Sequence, residues 1–486
     1  MTSEARSVSE ESAGAAGTAL PREVLGMREA VALIVGVVIG AGIFKAPSMV
    51  AQMTGEAGMM FGAWLLGGLM SLIGALCYAE LTTTYASAGG DYYFLRRAYG
   101  NSVSFLFAWA RFSVISTGSI ALLAFVFGDY VNQILPLGGL APAWASAIYG
   151  AAVVIVLSLV NIKGIRAGAA TQTWLTAIEI GGLLLIVLAA IFIVANGGAQ
   201  AAPAAVQAEA GGSQASFGLA MVFVLMTYGG WNEAAYISAE LKDGRRNMVK
   251  VLVLSIFIIT ALYMLVTWAY WRGLGMQGMA GSEALAADLL SSAFGPAGQK
   301  IISVMVAIAA LTSINATMIV GARTSYAAGC DWPVLARLGC WHAERGTPVN
   351  ALIVQCIAAL LLVVMGAWAG SGFKAMVEFT APVFWLFFLL SGISLFVLRS
   401  RDPHIERPYK VPLYPVLPLL FCAMCAYMLW SSLSYVYNQS LGGLNAAWIG
   451  VTVLAIGIIL LILLKNASSS SLPHPVVSTE AIRRNR

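Results

Sequence analysis

Charged residues are scarce in this chain: Asp, Glu, Lys and Arg make up 10% of its 486 residues, whereas hydrophobic residues reach 59%. A soluble domain carries roughly 25% charged residues because its surface must face water. An ordinary soluble fold is therefore excluded, and lipid is the expected solvent. Histidine is scarcer still, with His342 and His404 in polar loops and His474 in the C-terminal tail. Without clustered His, Asp or Cys there is no constellation for a membrane-embedded enzyme, and no phosphate-binding glycine loop is present for ATP-driven pumping. The six cysteines avoid every predicted external loop, so no disulfide framework is expected. Cys330, Cys340 and His342 share one polar loop, but their spacing matches no zinc pattern and a fourth ligand is missing. No metal and no cofactor are expected. The net charge of +5 is small and implies no nucleic-acid partner. The rings of like charge or filter carbonyls that mark a channel are also lacking.

What the chain has in abundance is long apolar runs. A bilayer core needs about 20 apolar residues in a helix, and about twelve such runs occur. They start near Ala30, Gly58, Val103, Pro142, Thr173, Phe217, Val251, Gly298, Val349, Ala375, Pro412 and Ala446. They are too long, and alternate too little, for the strands of a barrel. An all-α membrane bundle over residues 28–465 is predicted. Residues 1–27 and 466–486 are polar, Ser-rich and without a signal-peptide pattern, and read as disordered ends.

Lys and Arg in short loops orient the bundle. With the N-terminus inside, the inner loops collect Arg96, Arg97, Lys163, Arg166, Lys242, Arg245, Arg246, Lys250, Arg337, Arg345, Arg399, Arg401, Arg407 and Lys410, while Arg272, Lys300 and Lys374 fall outside. Both termini are thus expected in the cytoplasm, and the protein in the plasma (cell inner) membrane.

Two of the apolar runs are interrupted at corresponding places. The first contains Gly40-Ala41-Gly42 with Pro47 beyond it, and the sixth contains Tyr228-Gly229-Gly230-Trp231-Asn232. Each glycine weakens a helix by about 1 kcal/mol, and unwound backbone at membrane depth is tolerated only where it lines a cavity. Close helix packing through small residues is the alternative. Two breaks in register favour a binding site at the interface of two inverted repeats. A restarting helix offers amides to an anion and a stopped one offers carbonyls to a cation, which suits the backbone of an α-amino acid.

These residues resemble the amino acid–polyamine–organocation family of permeases, and within it the L-type amino acid transporters. The matching stretches are Gly40-Ala41-Gly42-Ile43-Phe44, Gly74 to Leu81, Gly89-Gly90-Asp91-Tyr92, Tyr228 to Asn232, Asn315 with Arg323, and Glu406-Arg407-Pro408. The resemblance implies a LeuT-type fold of twelve transmembrane helices, two inverted five-helix repeats plus two, and alternating access as symporter or exchanger. A polyamine or cationic amino acid exchanger is the alternative substrate class. By position, the substrate carboxylate would meet the amides of Ala41 and Gly42, and the ammonium the carbonyls of Val38, Met226 and Gly229, with Gly40 and Gly230 completing the two breaks.

The chain departs from the family in three ways. Met226 stands where L-type members have an aromatic gate. The loop from Asp129 to Pro142 lacks the cysteine that bonds a partner subunit, so no disulfide-linked heavy chain is expected. Glu179 falls where many relatives carry a lysine, at the place sodium takes in sodium-coupled members. Proton or sodium coupling through Glu179, with Thr312 and Ser313 as neighbours, and a neutral Glu179 that merely packs are both open readings. Lys45, in the outer half of the first span, has Glu378 as a candidate partner in an external gate; the alternative is that it snorkels to the surface. Structural pairing is expected for Glu80 and Arg111, an inner anchor for Arg323, and a place near the cavity or inner pathway for Glu233.

Overall fold

In lipid a backbone amide finds no acceptor except within its own segment, so an apolar run of this length becomes a helix. The computed structural model describes residues 26–85, 90–163, 169–197, 214–233, 241, 244–332, 335–342, 347–370, 372–437, 440–441 and 444–468. The first run forms α1 (Met27–Val38) and α2 (Ala46–Thr54), with a 3-10 turn at Ala41–Phe44 between them. Then come α3 (Ala57–Thr84), α4 (Gly90–Tyr99), and α5 (Asn101–Ala110), which passes through a π-turn at Arg111–Ser116 into α6 (Thr117–Ile134). The series continues with α7 (Pro142–Lys163), α8 (Ala169–Ala195), α9 (Gln214–Thr227), α10 (Gly244–Gly281), α11 (Leu285–Asp331), α12 (Val349–Trp368), α13 (Gly372–Arg401), α14 (Val416–Tyr437) and α15 (Ala446–Ser468). A small hairpin, β1 (Ser440–Leu441) and β2 (Leu444–Asn445), precedes α15.

Among the described residues, nine helices are long and apolar enough to cross a membrane. The expected first and sixth runs are not among them because their breaks cut them short, and the described apolar part of α15 spans only Thr452–Leu463. Gly295 and Gly275 take non-helical dihedrals inside α11 and α10, so the spanning part of α11 begins after Gly295 and Pro296, as its sequence predicts. The helices reach from Met27 to Ser468, slightly beyond the expected 28–465. Of the polar ends expected to be disordered, Met27 and residues 466–468 are helical; residues 1–25 and 469–486, and Arg166, Lys242 and Arg345, lie outside the described residues.

The outward faces are what lipid requires. Along α12, Ile357, Leu361, Val364 and Trp368 recur at helical spacing and are all exposed, Trp368 to 75%. Leu184, Leu188 and Ile191 make the same stripe on α8. In water such stripes would mark aggregation sites; in a bilayer they are the solvated surface.

The chain divides into two compact units. The first comprises Met1–Phe94, Ala169–Ala309 and Leu389–Ala426; the second comprises Leu95–Gly168, Ala310–Phe388 and Tyr427–Arg486. In the first, α10 packs on α1, α2, α3 and α8, and α9 on α2 and α3. Small residues permit these approaches: a methyl group on Gly67 would lie 2.4 Å from Val224, and one on Gly68 2.5 Å from Thr260. In the second, α6, α7 and α12 pack on one another, with Gly128 so close to Ser146 that a Cβ would meet its carbonyl oxygen at 2.0 Å.

Candidate substrate site at two broken helices

Helix α1 stops at Val38. The amide of Ile39 still reaches Val35 O at 2.8 Å, but that of Gly40 turns back to Val38 O at 2.7 Å. A 3-10 turn follows, closed by Lys45 N on Gly42 O at 3.0 Å, and α2 restarts with Pro47 in its first turn, where a proline costs no hydrogen bond. The amides of Ala41 and Gly42 head the turn, so the turn supplies no acceptor for them. In the sixth run α9 ends at Thr227, Gly229 N folds back on Met226 O at 3.1 Å, and Gly230 adopts φ 108°, a region that disfavours side chains. Trp231–Glu233 then form a 3-10 turn. Both interruptions read from glycine in the sequence are therefore breaks in the folded chain.

The first unit holds these breaks side by side. A Cβ on Gly42 would lie 3.5 Å from the Thr227 side chain, at ordinary contact. Tyr263 on α10 joins them: its hydroxyl lies 2.8 Å from Val38 O and 3.1 Å from Thr227 O, the last carbonyls of α1 and α9. One hydroxyl proton thus serves two acceptors. Around it, Trp64, Tyr228 and Tyr263 form a buried aromatic trio with centroids 5.0–6.0 Å apart, and Tyr228 donates to Trp64 O at 3.0 Å. Tyr263 was not singled out in the sequence, because one tyrosine in an apolar helix has no pattern. Its signal is general: a buried tyrosine needs a partner for its hydroxyl.

The carbonyls are not equally available to a ligand. Val38 O accepts from both Gly40 N and Tyr263, which fills its two lone pairs. Met226 O accepts from Gly229 N and retains one. Gly42 of one break thus lies beside Thr227 of the other, so the chain ends that carry amides and carbonyls share one neighbourhood, a polarity that fits a zwitterion.

The sequence profile of the family described as "Amino acid permease" matches residues 25–458, nearly the whole membrane region. The chain belongs to the amino acid permease family. It is 30% identical over 414 residues to the b(0,+)-type amino acid transporter 1 of Homo sapiens, covering 85% of this chain and 82% of that protein. It is also 30% identical over 434 residues to the large neutral amino acids transporter small subunit 2 of Mus musculus, covering 87% and 79%. These relatives are transporters, not enzymes, and the resemblance drawn from the glycine motifs holds.

Within the permease, Glu179 is 1% exposed on α8, and neither carboxylate oxygen has a hydrogen-bond partner among the described residues. Its helix packs on α1 and α10, which carry Val38 and Tyr263. Thr312, buried, and Ser313 belong to the second unit. Lys45 is buried; its ammonium donates to the backbone carbonyl of Glu283, while Ser48, one turn on, donates to Ser282 O at 2.9 Å. Glu378, in the second unit, lies 4.0 Å from Lys374. The first unit thus gives Lys45 a partner that the sequence did not suggest.

Another buried glutamate, Glu80, is fully matched, as expected for a structural pair. Glu80 takes both prongs of Arg399, Arg407 at 3.5 Å and the amide of Val411 at 2.7 Å. Arg399 also stacks on Tyr414, 3.7 Å from the ring centre. Arg407 comes from the Glu406-Arg407-Pro408 motif, which the fold explains as a clamp between α3, the end of α13 and the segment leading into α14. Arg111 is buried in the π-turn of the second unit.

Proposed function

We propose that the permease carries one amino acid at a time across the plasma membrane by alternating access, as a symporter or exchanger, with both termini in the cytoplasm and no disulfide-linked heavy chain. The fold is the twelve-helix LeuT type. In support of a moving bundle, α1, α2, α3, α9 and α10 fall in one compact unit, whereas α6, α7 and α12 fall in the other. The substrate carboxylate binds the amides of Ala41 and Gly42, and its ammonium the carbonyls of Met226 and Gly229. Val38 O joins them when the Tyr263 hydroxyl turns to Thr227 O. Gly40 and Gly230 shape the two breaks.

The observation that carries this reading is the contact between the breaks at Gly42 and Thr227. Glu179 takes up the coupling proton or sodium ion, and Lys45 serves the outer gate. Purified protein screened by thermal shift against amino acids and polyamines tests the substrate class, because a ligand stabilises the state it binds. Neutral amino acids should raise the melting temperature. Stabilisation by polyamines or cationic amino acids alone would favour the exchanger of cations, to which the unmatched Glu179 carboxylate also points. Counterflow in proteoliposomes separates a carrier, which accelerates with substrate inside, from a channel, which does not.

A further inference from the structure

Cys330 and Cys340, whose spacing in the sequence matches no zinc pattern, are brought into one patch by three independent contacts. Cys330 is the next-to-last residue of α11, and Cys340 follows the turn 335–339. The two backbones touch: a Cβ on Gly329 would lie 2.2 Å from Gly339 N, and one on Gly339 only 2.9 Å from Cys330 N. The Cys330 thiol lies 3.9 Å from the carbonyl oxygen of Gly339, the residue before Cys340, and the Cys340 thiol lies 3.5 Å from Ala336 O in the same turn. Tyr326 and Trp341, flanking the pair, meet edge to face at 5.1 Å. An ion pair from Arg96 to Asp331 at 3.0 Å steadies the end of α11. Both thiols are free and exposed, whereas Cys77 and Cys425 are buried. No group of three or more His, Cys, Asp or Glu side chains is placed to hold a metal among the described residues.

We propose that Cys330 and Cys340 are a reversible thiol–disulfide site, oxidised by hydrogen peroxide, that fastens the end of α11 to the turn preceding α12. One thiolate attacks a peroxide oxygen; the O–O bond breaks, leaving a sulfenic acid and releasing water. The second thiolate attacks that sulfur, the S–O bond breaks, and a second water leaves. Two thiols lose two protons and two electrons, and the peroxide is reduced to two waters. The second thiol, held near by the contact of Gly329 with Gly339, captures the sulfenic acid before a second peroxide can oxidise it further. A dithiol reduces the bridge again.

The test uses the full-length protein in nanodiscs, titrated with hydrogen peroxide and mapped by peptide mass spectrometry after alkylation. A cross-linked peptide joining Cys330 to Cys340, lighter by two hydrogens and lost on dithiothreitol treatment, is expected. It should come with a rise of several degrees in melting temperature that Cys330→Ser and Cys340→Ser both abolish. Separate sulfinic acids, or full alkylation of both thiols after peroxide, would overturn the proposal. The map reads chemistry alone, so its outcome is independent of whether the protein transports amino acids.

Discussion

Glu80 and Glu179 are both buried in the first unit, at 2% and 1% exposure, yet they live in opposite surroundings. Glu80 is met by two guanidinium groups and a backbone amide; Glu179 is met by none among the described residues. A buried carboxylate with every lone pair matched is a fastener, since moving it would break several charge-assisted bonds at once. A buried carboxylate with nothing matched is costly unless something outside the protein supplies the partner. The contrast extends to their neighbourhoods. Around Glu80 the helix ends are clamped, whereas near Glu179 the helices are broken and a single tyrosine proton serves two carbonyls.

The largest effect should come from opening the closed region. Glu80→Ala strands Arg399 and Arg407 and should destabilise the protein by about 3–5 kcal/mol, read as a large drop in melting temperature in detergent. A melting curve like that of the parent would show that the clamp carries no stability. Filling the open region comes next. Gly42→Leu should abolish uptake while leaving membrane insertion and melting temperature nearly unchanged; Gly42→Ala, with 3.5 Å of clearance, should keep most of its activity. Gly229→Ala should fare worse than Gly42→Ala, because its Cβ would meet Met226 O at 2.8 Å. Normal uptake by Gly42→Leu would move the substrate site elsewhere.

Removing the shared proton is a milder intrusion. Tyr263→Phe leaves two buried carbonyls one donor short, which should cost the empty protein about 1–3 kcal/mol of stability and, by freeing Val38 O for the ammonium, tighten substrate binding. Isothermal titration with the best substrate checks it, and an unaltered affinity would remove Tyr263 from the site. Glu179→Gln should cost almost no stability, in contrast to Glu80, while removing the dependence of uptake on a proton or sodium gradient. Ion dependence that survives the substitution would take Glu179 out of the coupling role. The smallest effect is expected at the outer gate. Lys45→Glu and Glu378→Lys should each reduce uptake and the double variant partly restore it, with a coupling of about 0.5–3 kcal/mol. Additive losses would leave Lys45 and Glu378 uncoupled.

Much of this was legible in the chain itself. Apolar runs long enough to span lipid determine helices, because the bilayer offers the backbone no other partner. Two glycine clusters at matching places determine where those helices break, because glycine weakens a helix locally, and both breaks fall at Gly40 and Gly229 as read. What stayed hidden depends on side chains far apart in sequence. That Glu80 meets Arg399 and Arg407, that Tyr263 bridges the ends of α1 and α9, and that Lys45 finds a carbonyl at Glu283 are decisions of packing across hundreds of residues. Local pattern fixes which segments are helical, because backbone hydrogen bonds are short-range; which buried polar group is matched, and which is left for a ligand, is decided only when the helices meet.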